Sequence, residues 1–217
     1  MPRLGLGSSL TGGAGASEDI TSFISTWTTT GSDETVTLPF VSSGSIDFTI
    51  DWGDGNTDTV TAYDDDLGEG AIDHVYATAA TYIITISGTI RGFKFGGSGD
   101  VTKIKTITQW GTFNLSTAQS FLGCSALDIS ATDAPTVSTT DMNATFRNCT
   151  ALTNIGGEWD IDGVTNLERC FNDCSNFNGD VTTWDTAEVI TFREIFQGAA
   201  AFNKDITRDG VKWDSGE

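Results

Sequence analysis

Phe121, Phe146, Phe171 and Phe196 stand 25 residues apart, and that interval governs the second half of the chain. Three places after these phenylalanines come Cys124, Cys149, Cys174 and then Ala199. Six places after them come Leu127, Leu152, Phe177 and Phe202. Met142, Leu167 and Phe192 share another phase, and Trp159 and Trp184 a further one, each tryptophan being followed by aspartate. One period kept at so many apolar positions predicts a solenoid, in which each coil buries its apolar face against the next. The last unit departs from the pattern. Phe196 reaches Trp213 after 17 residues, whereas 13 separate Phe146 from Trp159. Residues Ile206 to Trp213 are therefore expected to fold back as a cap, with the acidic end Asp214-Ser215-Gly216-Glu217 discouraging end-to-end stacking.

The residues before this repeat follow a different period. Ile46, Phe48, Ile50 and Trp52 alternate with Asp47, Thr49 and Asp51, as in a half-buried strand. Tyr82, Ile84 and Ile86 do the same, and Thr35-Val36-Thr37-Leu38 is a further strand candidate. Gly31-Ser32-Asp33, Ser42-Ser43-Gly44 and Gly53-Asp54-Gly55 supply the turns. This spacing predicts a β-sandwich over residues 20–95 and the solenoid over 96–217. The mainly β reading also suits the 34 threonines. Residues 1–19 contain Leu4, Leu6 and Leu10 separated by Gly and Ser, so they lack the ~7–15-residue apolar core of a secretory signal. A Gly-rich segment without a core orders only against something else. It is read as an assembly arm lying on a partner chain.

Thirty acidic against 11 basic residues give a net charge of −19, which argues against nucleic acid as a partner. No apolar run approaches the roughly 20 residues of a membrane-spanning helix, so membrane insertion is not expected. The chain has one histidine, His74, which makes His-rich metal sites and Ser-His or Cys-His catalysis improbable.

Asp51-Trp52-Gly53-Asp54-Gly55, His74-Val75-Tyr76 and Thr81-Tyr82-Ile83-Ile84-Thr85-Ile86 together resemble a PKD (polycystic-kidney-disease) β-sandwich module. The repeats resemble those of BspA-type leucine-rich-repeat surface proteins. Phe171-Asn172-Asp173-Cys174-Ser175-Asn176-Phe177-Asn178, followed by Trp184-Asp185, is the most family-like stretch. The 25-residue interval also lies within the ~20–29 residues of such repeats. Ile107-Thr108-Gln109-Trp110-Gly111 is similar to the join between the two kinds of module. The resemblance spans roughly residues 20–214 and implies a PKD/Ig-like sandwich followed by a short BspA-like leucine-rich-repeat solenoid. It also implies adhesion or interaction at a surface.

Several residues carry competing readings. Asp51 and Asp54, with Asp64, Asp65, Asp66 and Glu69, could ligate calcium, but they lack the spacing of an EF-hand loop. Asp54 between two glycines is read as stabilising its own turn, and the triple Asp as a solvated loop. His74 and Tyr76 share one side of a strand; the preferred reading bonds the histidine to the Gly-Asp-Gly turn, with Tyr76 packed below. Cys124, Cys149, Cys170 and Cys174 could form two disulfides or a metal site, but a thiol at a fixed repeat phase reads as a small core residue. Trp159 and Trp184 are read as core stacking rather than as an exposed strip for sugars. The sequons at Asn114, Asn143 and Asn148 are common by chance in an Asn/Thr-rich chain. No cofactor is expected.

Three function classes follow. The first is a non-enzymatic virion structural protein of a bacteriophage, either a capsid decoration or a tail- or fibre-associated surface protein. It would fold in the host cytoplasm, attach through its arm to other virion proteins, stand on the virion surface, and reach a host-surface glycan or protein. It could also form a homo-oligomer. The second is a bacterial cell-surface adhesin or carbohydrate-binding module. The third is an enzyme such as a glycosidase, which needs two carboxylates about 5–10 Å apart; the sequence assigns no such pair. The first is the expectation carried forward.

Overall fold

A computed structural model describes residues 19–41, 46–61 and 70–206. Among these the chain is mainly β, with no α-helix. The strands are β1 (Phe23–Thr28), β2 (Glu34–Pro39), β3 (Asp47–Asp51), β4 (Thr57–Val60), β5 (Ala71–Tyr76), β6 (Thr81–Thr89), β7 (Ile104–Gln109), β8 (Asn114–Leu115), β9 (Asp128–Ile129) and β10 (Thr136–Val137). An open six-stranded sheet runs β4-β3-β6-β1-β7-β9, and β2-β5 and β8-β10 form two small pairs. The pairs within the large sheet are antiparallel except β7-β9, which is parallel.

Alternation decides which face of each strand is buried. Phe23, Ser25 and Trp27 of β1 point inward, and Ile24, Thr26 and Thr28 outward. Ser25 is tolerated inside because its hydroxyl accepts the Trp27 indole N–H at 2.9 Å. The β2-β5 pair lies against the inner face through ring contacts between Phe40 and Phe48 (4.7 Å) and between Tyr76 and Tyr82 (3.8 Å). The outer edge of β2 is closed by side chains. Asp100 accepts the Thr37 N–H at 2.7 Å, and the Lys103 ammonium donates to the Thr35 carbonyl.

The segment read as a join, Ile107–Gly111, opens with the last residues of β7. This strand pairs with β1 on one side and β9 on the other, so the sheet runs through the expected boundary. Phe23 and Phe93 each carry a ring contact to Phe113 across the same boundary, and Phe93 a further one to Phe121. Gly92 permits close approach there. Its φ is +83°, and a Cβ would stand 2.1 Å from the Asn114 carbonyl oxygen.

Beyond β7 the backbone turns tightly, with hydrogen bonds between segments far apart in sequence. The N–H groups of Gln119, Phe121 and Gly123 donate to the carbonyls of Asn143, Thr145 and Arg147 (2.8–3.0 Å). Those of Met142, Ala144, Phe146 and Asn148 donate to Asn166, Glu168, Cys170 and Asn172, each at 2.9 Å. Those of Leu167, Arg169, Phe171 and Asp173 donate to Thr191, Arg193, Ile195 and Gln197 (2.7–3.0 Å). Left-handed backbone recurs at Gln119, Ala144, Arg169 and Glu194, and again at Gly123, Asn148, Asp173 and Gly198. Between these bends the rings of Phe121, Phe146, Phe171 and Phe196 stack at 5.5, 5.6 and 5.7 Å, within 6° of parallel.

One position in this packing is chemically mismatched. Thr186 is buried where Ile161 lies 25 residues earlier, and its hydroxyl has no hydrogen-bond partner among the described residues. A buried unsatisfied hydroxyl costs about 1–3 kcal/mol. Thr186→Val keeps the shape and removes the polar group. The expected gain is about 1 kcal/mol in denaturant unfolding; an unchanged or lower stability contradicts the assignment.

Candidate functional site

A connected cluster of polar and aromatic side chains sits where β3 enters the Trp52–Asn56 turn. Gly53 has φ +76°, and a Cβ there would meet the Ile83 carbonyl oxygen at 2.3 Å, so only glycine fits without strain. Asp51 accepts the Gly53 N–H at 2.9 Å and Asp54 accepts the Asn56 N–H at 3.0 Å. Asp54 Oδ2 also lies 2.8 Å from His74 Nε2. The His74 ring stacks on buried Trp52 (4.6 Å, 11°) and meets Tyr76 edge-on (4.6 Å, 83°). Tyr76 donates its hydroxyl to the Trp52 carbonyl at 2.8 Å, and the Trp52 indole donates to Asp58 at 2.7 Å. His74 is thus bonded to the turn with Tyr76 beside it.

The electrostatics fit a closed structural set. Burial raises the Asp54 carboxyl, but hydrogen bonds from His74 and Asn56 outweigh burial and hold it below the usual range. Burial, then the nearby charge of Asp54, pushes the Tyr76 phenol well above its ordinary value, so it remains a donor. Among the described residues no group of three His, Cys, Asp or Glu is placed to hold a metal ion. Asp64, Asp65, Asp66 and Glu69 lie outside the described residues, as do Leu4, Leu6, Leu10 and Trp213.

The residues of the repeat are gathered into the core. Phe121, Phe146 and Phe171 are fully buried and Phe196 partly so. Trp159 and Trp184 are buried, which leaves them no exposed face for a sugar. The Trp159 indole donates to the Ile155 carbonyl at 3.1 Å, a carbonyl that also accepts from Trp110. Cys124, Cys149, Cys170 and Cys174 are buried free thiols. Cys149 Sγ donates to the Phe121 carbonyl (3.1 Å) and Cys174 Sγ to the Phe146 carbonyl (2.9 Å). Burial raises all four thiols, Cys174 to about 12, so they are poor nucleophiles.

Residues 114–216 match the family model described as Mycoplasma protein of unknown function, DUF285. No curated protein and no solved structure matches the chain. The DUF285-like segment is just under half of the chain and contains the whole phenylalanine stack, all four cysteines, Trp159 and Trp184.

Sequence reasoning missed other polar positions that organise this segment. Asp133 accepts the backbone N–H groups of Trp110 (3.0 Å) and Gly111 (2.7 Å), tying the end of β7 to the next turn. Asp128 accepts the Thr153 N–H at 2.9 Å, and Asn178 the Asn203 N–H at 3.2 Å. Asp128, Thr153, Asn178 and Asn203 are themselves 25 residues apart, a polar column that the apolar bookkeeping overlooked. On the surface, Arg169 and Arg193 each contact Glu168 and Glu194.

Two outcomes follow. The lowered Asp54 value means its ionised form favours the folded state. That contribution is present above the ordinary carboxylate pKa of about 3.9 and is lost as pH falls through the lower folded value. Asp54→Asn should flatten the acid side of the melting-temperature profile, and a profile parallel to wild type contradicts the pairing. Thiol titration should find the four cysteines reactive only after unfolding; rapid labelling of the native chain contradicts their burial.

Proposed function

We propose that the chain is a non-enzymatic virion structural protein of a bacteriophage, a capsid decoration or a tail- or fibre-associated protein, displayed on the virion surface for assembly and surface interaction. In this reading residues 20–95 form a PKD-like β-sandwich. Residues 96–217 form a BspA-like leucine-rich-repeat solenoid of 25-residue coils, and residues 1–19 form the anchoring arm to other virion proteins. The supporting observation is the state of the cysteines. Two of the four buried thiols spend their protons on the Phe121 and Phe146 carbonyls, a reduced arrangement suited to folding in a reducing cytoplasm. Phage proteins fold there and leave by lysis. The charge of −19 suits an exterior facing solvent and repels nucleic acid.

A second reading, a bacterial cell-surface adhesin or carbohydrate-binding module, is favoured by the match to a Mycoplasma family loosely related to BspA-like surface proteins. Peptide mass spectrometry separates the two. The virion reading expects the chain in gradient-purified particles at a fixed ratio to the major capsid protein. Its absence from particles, together with release from intact bacteria by surface proteolysis, overturns that reading in favour of the second.

A further inference from the structure

The sheet edges of this molecule are treated unequally. The outer edge of β2 is closed by Asp100 and Lys103, and that of β7 by β9. Among the described residues nothing pairs with the far side of β4. The groups it presents can be worked out. Trp52 N–H donates to the Asn56 carbonyl at 3.1 Å, which makes that level a hydrogen-bonded pair. Pair types alternate along an antiparallel ladder. Ile50/Asp58 and Phe48/Val60 are therefore bonded pairs, and Asp51/Thr57 and Thr49/Thr59 are not. The N–H and C=O groups of Thr57 and Thr59 accordingly point away from β3. Both residues are exposed, and β4, though only four residues long and carrying Asp58, has no Lys, Pro or bulge of the kind that also guards natural edges.

We propose that β4 accepts an added strand from residues 1–17 of a second copy of this chain. The inference rests on the reading of residues 1–19 as an assembly arm, and it makes a second copy of this chain, rather than a different virion protein, the partner that residues 1–17 occupy. Charge favours this occupant. Residues 1–17, the part of the arm before Glu18 and Asp19, contain Arg3 and no acidic residue, whereas Asp47, Asp51, Asp54 and Asp58 surround β4. Pairing β4 with the β4 of another copy would instead bring the two Asp58 strands together between chains of −19 each. The pattern Leu4-Gly5-Leu6-Gly7 puts both leucines on one face of an extended strand, the face that would continue Val60 and Phe48. A neighbour's arm is favoured over the chain's own. The Gln109 side chain on β7 donates to the Asp19 carbonyl at 2.8 Å, so the last described residue before the arm is held at β7, with β1, β6 and β3 between it and β4.

The test uses the full chain. Sedimentation across the micromolar range should show self-association, with slow exchange at the Thr57 and Thr59 amides in the associated form. Thr59→Pro removes an outward N–H without touching a β3-β4 bond and should give a folded monomer. Thr59→Ala keeps the N–H and should associate as wild type does. Leu4→Asp with Leu6→Asp should also give a monomer. A monomeric wild type overturns the proposal, including one with slow Thr57 and Thr59 amides, which would mean that the chain's own arm covers the edge. Association that survives Thr59→Pro in a folded chain overturns it as well. If Thr59→Pro perturbs the fold, the leucine pair and the wild-type exchange data decide alone. Incorporation into particles separates the two readings. If the leucine variant fails to incorporate while Thr59→Pro incorporates, the arm reading stands and strand addition falls.

Discussion

The phenylalanine stack sets the spacing of everything after residue 120. Phe121, Phe146, Phe171 and Phe196 lie face to face at 5.5–5.7 Å. Hydrogen-bonded strands lie about 4.7–4.9 Å apart. The two spacings are close enough for a ring column and a backbone ladder to advance together. Each Phe to Phe step is accompanied by N–H donation from one segment to the next, as from Phe146 to the Cys170 carbonyl. A cysteine fits beside each of the first three rings because it is small, apolar and able to donate. Cys149 and Cys174 each satisfy a carbonyl of the preceding phenylalanine that would otherwise be buried with less to bond. Ala199 fills the same slot near the end of the stack without that donor.

The stack begins in the rest of the protein. Phe121 contacts Phe93, Phe113 and Trp110, and Phe23 on β1 touches the same three rings. β7 and β9 extend the large sheet past β1, and the Asp133 carboxylate fixes the β7 end by binding two backbone N–H groups. The first ring of the stack therefore meets a surface already shaped by aromatic side chains.

Much of this was legible because it depends on identity at fixed intervals. The apolar columns repeat side chains of one size, and the Asp-Trp-Gly-Asp-Gly turn and His74 announce each other by composition. What escaped has other causes. β1 was not singled out because it reads Phe-Ile-Ser-Thr-Trp-Thr, in which apolar residues face both ways and an inward serine is excused only by the Trp27 indole. β7 looked like a connector because Trp110-Gly111 follows it directly, yet pairing on both sides makes it an interior strand. The left-handed bends at Ala144, Arg169 and Glu194 were invisible because no glycine marks them. The carboxylate of Asp133 serves backbone groups more than 20 residues away, a relation no local pattern encodes. The proposed arm at residues 1–19 and the cap from Ile206 to Trp213 fall almost wholly outside the described residues.

Ring stacking and the backbone ladder together couple successive segments. Native-state hydrogen exchange of Phe146→Ala against wild type tests this coupling most directly. Removing a buried aromatic costs about 3–5 kcal/mol. With coupling, protection falls on both sides of the missing ring, at the Phe121 and Gly123 amides and at Leu167, Arg169 and Phe171. Protection lost only around residue 146, with both flanking segments unchanged, would contradict the account.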